Sequence, residues 1–274
     1  MLTATFCHID GIGHATERNL WNRGITSWDH LIQTPDTVAR VSSHEVLNIL
    51  EKSNDALRTD PHFFADRLKT ADVWRLFPHF RDSTAYLDIE TTGLGEHAEI
   101  TTIALYDGRN VTTYVNGRNL DDFIVDIQRF NVLVTYNGIS FDIPFIERFF
   151  RTTITSAQID LRYVLARLGC KGGLKGCERQ MGINRGTLDG VDGAFAVLLW
   201  REFERYNNEA ALETLLAYNV EDTVNLERLM VEAYNRNVAN TPFVQTSALP
   251  YPSLPQLIYQ PDLEIVSAIK QYSS

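Results

Sequence analysis

Residues 85–90 read Ala-Tyr-Leu-Asp-Ile-Glu, and this short stretch decides how the rest of the chain is interpreted. The stretch alternates as a β-strand does, with every second side chain on the same face, and this places Asp88 and Glu90 side by side. Two adjacent carboxylates repel each other, and a buried charge is costly unless it is paired or bound to a cation. The pair therefore favours a divalent-metal site. The alternative is the solvent-facing polar edge of an ordinary amphipathic strand.

The bulk composition is that of a water-soluble globular protein of one large domain, or of a medium and a small one. The chain has 274 residues, 44% hydrophobic and 22% charged, with a net charge of −10. No apolar run is long enough to cross a membrane, and the N-terminus shows no secretory signal. Three cysteines without Cys-x-x-Cys spacing indicate a reduced cytoplasmic setting and argue against a zinc site. The acidity argues against coating nucleic acid by bulk attraction, but not against an enzyme that holds it through metal ions.

The sequence divides into three regions. Residues 1–82 predict a small helical domain, residues 83–236 alternate strand-like and helix-like patterns as in an α/β domain, and residues 237–274 form a proline-containing tail. The tail is expected either to wrap the body or to be partly disordered. The predicted helices of the first region cover residues 15–21, 27–33, 43–57 and 61–77.

The central region predicts a mixed sheet flanked by helices. Three strands in a meander come first, followed by a helix, a further strand and more helices. The predicted strands are 84–90, 99–106, 110–116 and 132–136. The predicted helices are 120–130, 142–150, 160–169, 174–181, 193–206 and 209–232.

Two further acidic positions bear on the chemistry. Asp142 follows the strand 132–136 where a helix begins, so it either caps that helix or lies at a ligand site at the strand ends. Tyr218 and Asp222 are four residues apart on one helical face, which apolar neighbours turn toward the protein body. A buried Tyr–Asp hydrogen bond is the alternative there. Glu221 lies about 100° around the same helix and is predicted to be a solvated charge.

Three motifs together resemble a known family. Asp88-x-Glu90, Asn137-x-x-x-Phe141-Asp142 and Tyr218-x-x-x-Asp222 resemble the exonuclease motifs of the DEDD superfamily of 3′→5′ exonucleases. The most similar branch is the YprB-type RNase H-like exonuclease domain, which residues 174–178 and 215–226 also resemble. The similarity covers about residues 83–232 and implies an RNase H-like fold.

The resemblance implies a two-metal mechanism. Asp88, Glu90, Asp142 and Asp222 would hold two Mg²⁺ or Mn²⁺ ions, as suits hard oxygen ligands, with Asp88 bridging both. In this superfamily a tyrosine or a histidine orients the attacking water. No histidine follows His97, so Tyr218 is the candidate, which implies the tyrosine subclass (DEDDy).

Several residues are expected to contact the substrate. By resemblance, Thr91 would meet the terminal 3′-OH and Leu94 would wedge against the last base, with simple loop geometry as the alternative for both. Asn137 would hydrogen-bond near the scissile nucleotide or brace the turn. Phe141 would stack on a base or pack in the core.

A local excess of positive charge lies between residues 161 and 187. It predicts a surface, including Lys171 and Lys175, that follows a phosphate backbone. A solvated helical face is the alternative. Asp160, at the start of the helix that carries this stretch, is predicted to be an N-cap rather than a fifth metal ligand. The basic residues are Arg162, Arg167, Lys171, Lys175, Arg179 and Arg185, against the single acid Glu178.

The N-terminal region contains Gly11-Ile-Gly13 just before a predicted helix. This turn resembles half of a helix-hairpin-helix and could present backbone amides to a phosphate, although such turns also serve plain helix packing. Together these features predict a cytoplasmic, metal-dependent 3′→5′ exonuclease that acts on DNA or RNA 3′ ends, with no membrane association. The alternatives are a non-catalytic nucleic-acid-binding module and a structure-specific endonuclease.

Overall fold

A five-stranded mixed sheet forms the centre of the computed structural model, which describes residues 1–95, 97–183, 185 and 193–272. The strand order is β3-β2-β1-β4-β5. Strands β1, β2 and β3 form an antiparallel meander, whereas β4 pairs parallel with β1 and β5 pairs parallel with β4. The predicted α/β fold with a mixed sheet is confirmed. The strands are β1 (Thr84–Thr91), β2 (Ile100–Tyr106), β3 (Val111–Val115), β4 (Val132–Thr135) and β5 (Ala157–Asp160).

Strand β5 was not predicted as a separate element. It has only four residues, too few for a period of two to stand out from the neighbouring loop. The sequence assigned its last residue, Asp160, to the following helix. In the structure that residue ends β5 and precedes the helix that begins at Leu161.

The alternation of β1 sends its side chains into two separate cores. Leu87 and Ile89 pack with Phe123 and Ile143 on one face of the sheet. Tyr86 packs with the long C-terminal helix on the other. Because side chains alternate along a strand, Asp88 and Glu90 share the Tyr86 face.

The N-terminal region consists of short helices joined by turns. A capping box in which Ser42 and Glu45 bond each other's backbone amides fixes the start of the longest of them. The helix predicted over 61–77 is instead two short helices separated by a 3₁₀ segment, Thr70–Leu76, because Lys69 is extended and Pro78 stands in the first turn of the second. The helices are α1 (His14–Asn22), α2 (Trp28–Gln33), α3 (Ser43–Ala56), α4 (His62–Ala65) and α5 (Phe77–Phe80).

The N-terminal region shares one apolar core with the sheet. Buried side chains such as Phe6, Trp28 and Phe77 belong to the same cluster as Val134 of β4 and Tyr234. Polar contacts add to this packing, since Arg167 forms an ion pair with Asp72. The division at residue 82 stays a prediction, and the two regions are packed as one body.

The remaining helices cover both faces of the sheet and one of its ends. The predicted helix 120–130 is a single short helix between two 3₁₀ turns, Leu120–Asp122 and Ile127–Arg129. None of the described helices is long and apolar enough to cross a bilayer. The helices are α6 (Phe123–Asp126), α7 (Asp142–Phe150), α8 (Leu161–Arg167), α9 (Gly173–Gln180), α10 (Gly193–Tyr206), α11 (Glu209–Val238), α12 (Val244–Ser247) and α13 (Leu263–Tyr272).

The C-terminal tail wraps the body, which was one of its two predicted states. Val266 and Ile269 of α13 pack in one cluster with Trp200 of α10 and Leu215 of α11. The Tyr259 hydroxyl lies 2.9 Å from the Thr113 hydroxyl on the edge strand β3. The tail thus closes over α10, α11 and one edge of the sheet.

Candidate metal centre

The two acids of β1 lie near its carboxyl end, under helix α11. Glu90 is buried at 9% exposure and Asp88 is half-buried. Asn219 of α11 holds Asp88 in place, because its Nδ2 donates to the carboxylate Oδ2 at 2.7 Å and to the Asp88 carbonyl at 3.2 Å. The Asn219 Oδ1 accepts from the Thr102 hydroxyl at 3.0 Å. Helix α11 is therefore locked to β1 and β2 at the site itself.

Helix α11 contributes the third acid. Asp222 lies one turn after Tyr218, and both side chains are buried. Asp88, Glu90 and Asp222 each bring a carboxylate oxygen within 4.8 Å of the other two. A β-strand and a helix thus form one group of three carboxylates that could hold a metal ion.

Asp142 approaches the same group from the other layer of the structure. Strand β4 pairs with β1 only over Thr84–Tyr86, so β1 extends beyond its parallel partner. There the Asp142 Oδ1 accepts a hydrogen bond from the Ile89 amide at 3.3 Å. The N-cap of α7 is Phe141 and makes no side-chain cap bond. Asp142 therefore does not cap its helix from the N-cap position but reaches across to β1.

A tight turn after β4 carries Asp142 to this position. Asn137 has a left-handed φ of 69°. A Cβ on Gly138 would lie 2.2 Å from the Thr135 Oγ1, so only glycine fits there. Asp160 accepts hydrogen bonds from the amides of Asn137 at 2.7 Å and of Ile139 at 3.2 Å. The end of β5 thus braces the turn that begins α7.

The electrostatics of the four acids favour a bound cation. Burial first, and then mutual repulsion, raise the pKa of Asp88 and Glu90 well above their ordinary values. Burial also raises the pKa of Asp222 and raises that of Asp142 to about 7. Asp142 lies outside the group of three, but its charge adds to the repulsion on Asp88 and Glu90. An all-oxygen donor set of this kind fits Mg²⁺ or Mn²⁺.

Comparison with known proteins now places the chain in a family. The family model RNase_H_2, described as RNase_H superfamily, matches residues 85–234. The chain belongs to the RNase H superfamily. This membership supports nuclease activity, and the carboxylate group accords with the divalent metals that RNase H-like nucleases generally use. No curated protein sequence matches the chain.

One solved structure that is similar to this RNase H-like chain is the family B DNA polymerase from the hyperthermophilic archaeon Pyrobaculum calidifontis. The two share 15% sequence identity with a TM-score of 0.43. The match covers 61% of this chain but only 27% of the polymerase chain.

The predicted basic surface is wrong for Arg185. Its side chain is buried and forms ion pairs with Glu178 and Asp222 instead of facing solvent. Arg162 donates to the Asn137 side chain, and Arg167 pairs with Asp72. Each of these three cations binds a different partner within the protein. Residues 184, 186 and 187 of the predicted stretch lie outside the described residues.

The two lysines predicted to bind substrate occupy different surroundings. Lys171 is exposed just before α9. The Lys175 Nζ lies 4.7 Å from the centroid of the Tyr218 ring. Its charge contributes to lowering the pKa of both Glu90 and Asp222, against the larger effect of burial. Lys175 is therefore next to the carboxylates.

Two predictions about neighbouring acids had opposite outcomes. Glu221 is not a solvated charge, since it is half-buried and burial raises its pKa to about 7. The helical wheel misplaced it because α9, which packs beside α11, could not be positioned from the sequence. Asp160 is the predicted N-cap of α8 and accepts from the Arg162 amide at 2.9 Å.

The remaining residues that were predicted to contact a substrate lie around the carboxyl ends of β1 and β4. The Thr91 hydroxyl donates to the Gly93 carbonyl at 2.8 Å, as loop geometry requires. Leu94 is 86% exposed. The Phe141 ring packs 5.6 Å from that of Phe145, in agreement with the core alternative. Asn137 accepts from Arg162 and shapes the turn.

A second group of possible metal ligands lies in the N-terminal region. Cys7 Sγ is 3.6 Å from His14 Nδ1, with Glu17 nearby. Arg75 binds both Glu17 oxygens, at 2.8 and 2.9 Å, and backbone amides bind one of them. Glu17 is already engaged, so we interpret this group as structural.

The Gly11-Ile-Gly13 turn serves helix packing. A Cβ on Gly11 would lie 2.9 Å from Val41 Cγ2, and φ at this glycine is +87°. Gly13 is the N-cap of α1. Whether the turn also contacts nucleic acid stays a prediction.

Proposed function

We propose that this protein is a metal-dependent 3′→5′ exonuclease that hydrolyses phosphodiester bonds at the 3′ ends of DNA or RNA. The observation that carries the proposal is the group of three carboxylates, Asp88, Glu90 and Asp222, whose oxygens lie within 4.8 Å of one another. Asp142, the first residue of α7, lies beside them and accepts a hydrogen bond from the Ile89 amide of β1. The assignment to the tyrosine subclass (DEDDy) and to the YprB-type branch is part of the proposal.

The four acids would hold two Mg²⁺ or Mn²⁺ ions. When bound, such a pair of ions lowers the pKa of an attacking water and stabilises the leaving 3′ oxygen. Asp88 is central, because the charges of Asp222, Glu90 and Asp142 all act on it, and we assign it to bridge the two ions. Asp142 would contribute mainly to the second ion, since it lies outside the group of three.

Tyr218 would orient the attacking water. Burial, followed by the neighbouring acids, raises the pKa of its hydroxyl above the ordinary value, so the hydroxyl keeps its proton at neutral pH. A protonated hydroxyl positions a water by hydrogen bonding and does not act as a full base. The Lys175 ammonium near the Tyr218 ring places positive charge where the scissile phosphate would lie.

The substrate end would enter along the carboxyl end of β1. Leu94, at 86% exposure, is placed to contact the last base, with Thr91 beside the terminal 3′-OH. Asn137 and Phe141 would contact the adjacent nucleotide from the turn before α7, and Lys171 would meet the phosphate backbone further out. These proposed contacts would suit a 3′ terminus better than an internal site of a nucleic acid.

A labelled-substrate assay tests the proposal. The purified protein is incubated with 5′-labelled single-stranded and duplex DNA and RNA, with Mg²⁺, Mn²⁺ or EDTA. We expect a ladder that shortens from the 3′ end, lost in EDTA and in Asp88→Ala. Asp121→Ala, at an exposed acid away from the site, is the matched control and should retain activity.

The alternatives give different results in the same assay. Binding without any cleavage in either metal would indicate a non-catalytic nucleic-acid-binding module. Internal cuts on structured substrates, with intact linear 3′ ends, would indicate a structure-specific endonuclease. Either result would overturn the proposal.

A further inference from the structure

A single arginine lies inside the acidic site, in direct contact with a proposed metal ligand. The Arg185 side chain is only 4% exposed and bonds Asp222 through Nη1 and Glu178 through Nε. The two carboxylate side chains are themselves 7% and 1% exposed. All three charged groups are withdrawn from water, so each strongly affects the others.

Glu178 is the second partner of this arginine and is itself held in place. Its other oxygen, Oε1, accepts a hydrogen bond from Asn225 Nδ2 at 3.0 Å. Asn225 lies three residues after Asp222 on α11, so both face α9. The guanidinium is therefore shared between a fixed acid on α9 and the ligand acid on α11.

We propose that Arg185 is an internal counter-ion of the metal site. Arg185 positions Asp222 and limits how tightly the site binds a divalent cation. Glu178 also interacts with the Arg185 guanidinium, which reduces the effect of the Arg185 charge on Asp222. This inference rests on the proposed metal site and adds a regulation of cation affinity to it.

The contacts give the sign of the effect. Arg185 occupies the Asp222 Oδ1 and leaves the second carboxylate oxygen for a cation. A positive charge in direct contact with a ligand opposes a divalent ion, because both compete for the same negative charge. Its planar guanidinium also fixes the orientation of that carboxylate.

The test measures Mn²⁺ binding in the full chain without nucleic acid. Arg185→Gln removes the competing charge, so we expect the Mn²⁺ dissociation constant to fall roughly tenfold. The kcat of the same variant should fall, because Asp222 is no longer oriented. Glu178→Gln leaves the guanidinium to Asp222 alone, so its dissociation constant should rise by roughly the same factor.

Arg81→Gln is the matched control. Arg81 also pairs with a buried acid of α11, Glu227, at 2.8 Å, but near the opposite end of β1. Its removal should leave Mn²⁺ binding unchanged. Arg185→Lys keeps the charge and should bind Mn²⁺ as the unmodified protein does, with reduced kcat.

Opposite shifts in Arg185→Gln and Glu178→Gln support the inference. Equal dissociation constants in all variants, or weaker binding in Arg185→Gln, would overturn it. If Arg185→Gln does not fold, the Mn²⁺ dissociation constant of Glu178→Gln is the deciding measurement. Unchanged or tighter Mn²⁺ binding by Glu178→Gln would then contradict the inference. If the unmodified protein does not bind Mn²⁺, the proposed metal site fails and this inference fails with it. If the unmodified protein binds Mn²⁺ but the variants do not shift as expected, only this inference fails.

Discussion

At the scale of single residues, Asn219 sets the position of the central acid. It bonds both the carboxylate and the carbonyl of Asp88, and its own oxygen is held by Thr102. A neutral amide with all of these partners orients a carboxylate without cancelling its charge. Asn219 therefore occupies the Asp88 Oδ2 without bringing a positive charge that would compete with a cation.

Asn219→Ala should weaken Mn²⁺ binding and lower the free energy of unfolding by about 1–3 kcal/mol, because the buried hydrogen bonds of Asn219 to Asp88 and Thr102 are lost. Calorimetric titration with Mn²⁺ and denaturant unfolding measure the two effects. Asn240→Ala, at an exposed asparagine after α11 whose side chain donates to the Arg236 carbonyl, should change neither. Unaltered Mn²⁺ affinity in Asn219→Ala would show that Asp88 needs no such support.

Tyr218→Phe should lower kcat by about 10²-fold or more, because the water loses its orienting hydroxyl. Its Mn²⁺ affinity should stay close to that of the unmodified protein. Tyr114→Phe is the control, since the Tyr114 hydroxyl lies away from the site, where it donates to Asp126 at 2.8 Å. Full turnover by Tyr218→Phe would remove this residue from the mechanism.

Some residues of the site could be predicted from short sequence spacings, whereas others depend on contacts between distant parts of the chain. Asp88 with Glu90, and Tyr218 with Asp222, are spaced by two and four residues, which are the periods of a strand and a helix. Their shared faces could therefore be predicted from the sequence. Arg185 could not be placed, because it meets Asp222 across 37 positions of sequence. Charge composition alone cannot distinguish a buried ion pair from an exposed cation.

At the scale of elements, the different lengths of β1 and β4 create the site. β1 continues past its parallel neighbour, and the turn after β4 folds back so that Asp142 accepts from the buried amide of Ile89, beyond the pairing with β4. Strands and their order follow from the sequence pattern where the runs are long. The four-residue β5 and the broken helix over 61–77 do not, because tertiary packing determines such short elements.

Gly138→Ala should distort the turn and cost several kcal/mol of stability, since the added Cβ would lie 2.2 Å from the Thr135 Oγ1. The displaced turn should also reduce Mn²⁺-dependent activity. Gly193→Ala, at the start of α10 where a Cβ meets nothing within 4 Å, should be neutral or slightly stabilising. Thermal unfolding of both variants makes the comparison, and equal melting temperatures would contradict the steric argument.

At the scale of the whole molecule, the buried acids couple the stability of the protein to pH and to metal. The pKa of Asp142 is raised from 3.8 to about 7 by burial, so the folded state binds more protons than the unfolded state between these values. The stability of the protein without metal therefore falls as pH rises through this window. Ionised Asp142 therefore destabilises the folded state relative to the protonated form of the same residue.

Saturating Mg²⁺ or Mn²⁺ should raise the melting temperature more at about pH 8 than at about pH 5.5, because the cation binds the ionised acids. Thermal unfolding with metal and with EDTA at both pH values measures this. Asp142→Asn removes one titrating group and should reduce the pH dependence. A metal effect that is equal at both pH values would argue against cation binding by these carboxylates.

A fragment of residues 83–274 should fold poorly, since it exposes the half of the shared core that contacts Phe6, Trp28 and Phe77. Circular dichroism and binding of a hydrophobic dye test this expectation. A cooperative melting transition like that of the full chain would instead support an independent N-terminal domain.

The lock between Asn219 and the Asp88 carbonyl has an evolutionary consequence. The packing of α11 on β1 determines the backbone geometry of the site. Replacing the acids would remove the electrostatic repulsion between them and so stabilise the folded state. A descendant sequence could therefore abandon catalysis by single substitutions at these positions and become more stable. Inactive homologues with an intact architecture are expected to arise easily, and the acids that persist in a sequence are then a record of selection for chemistry.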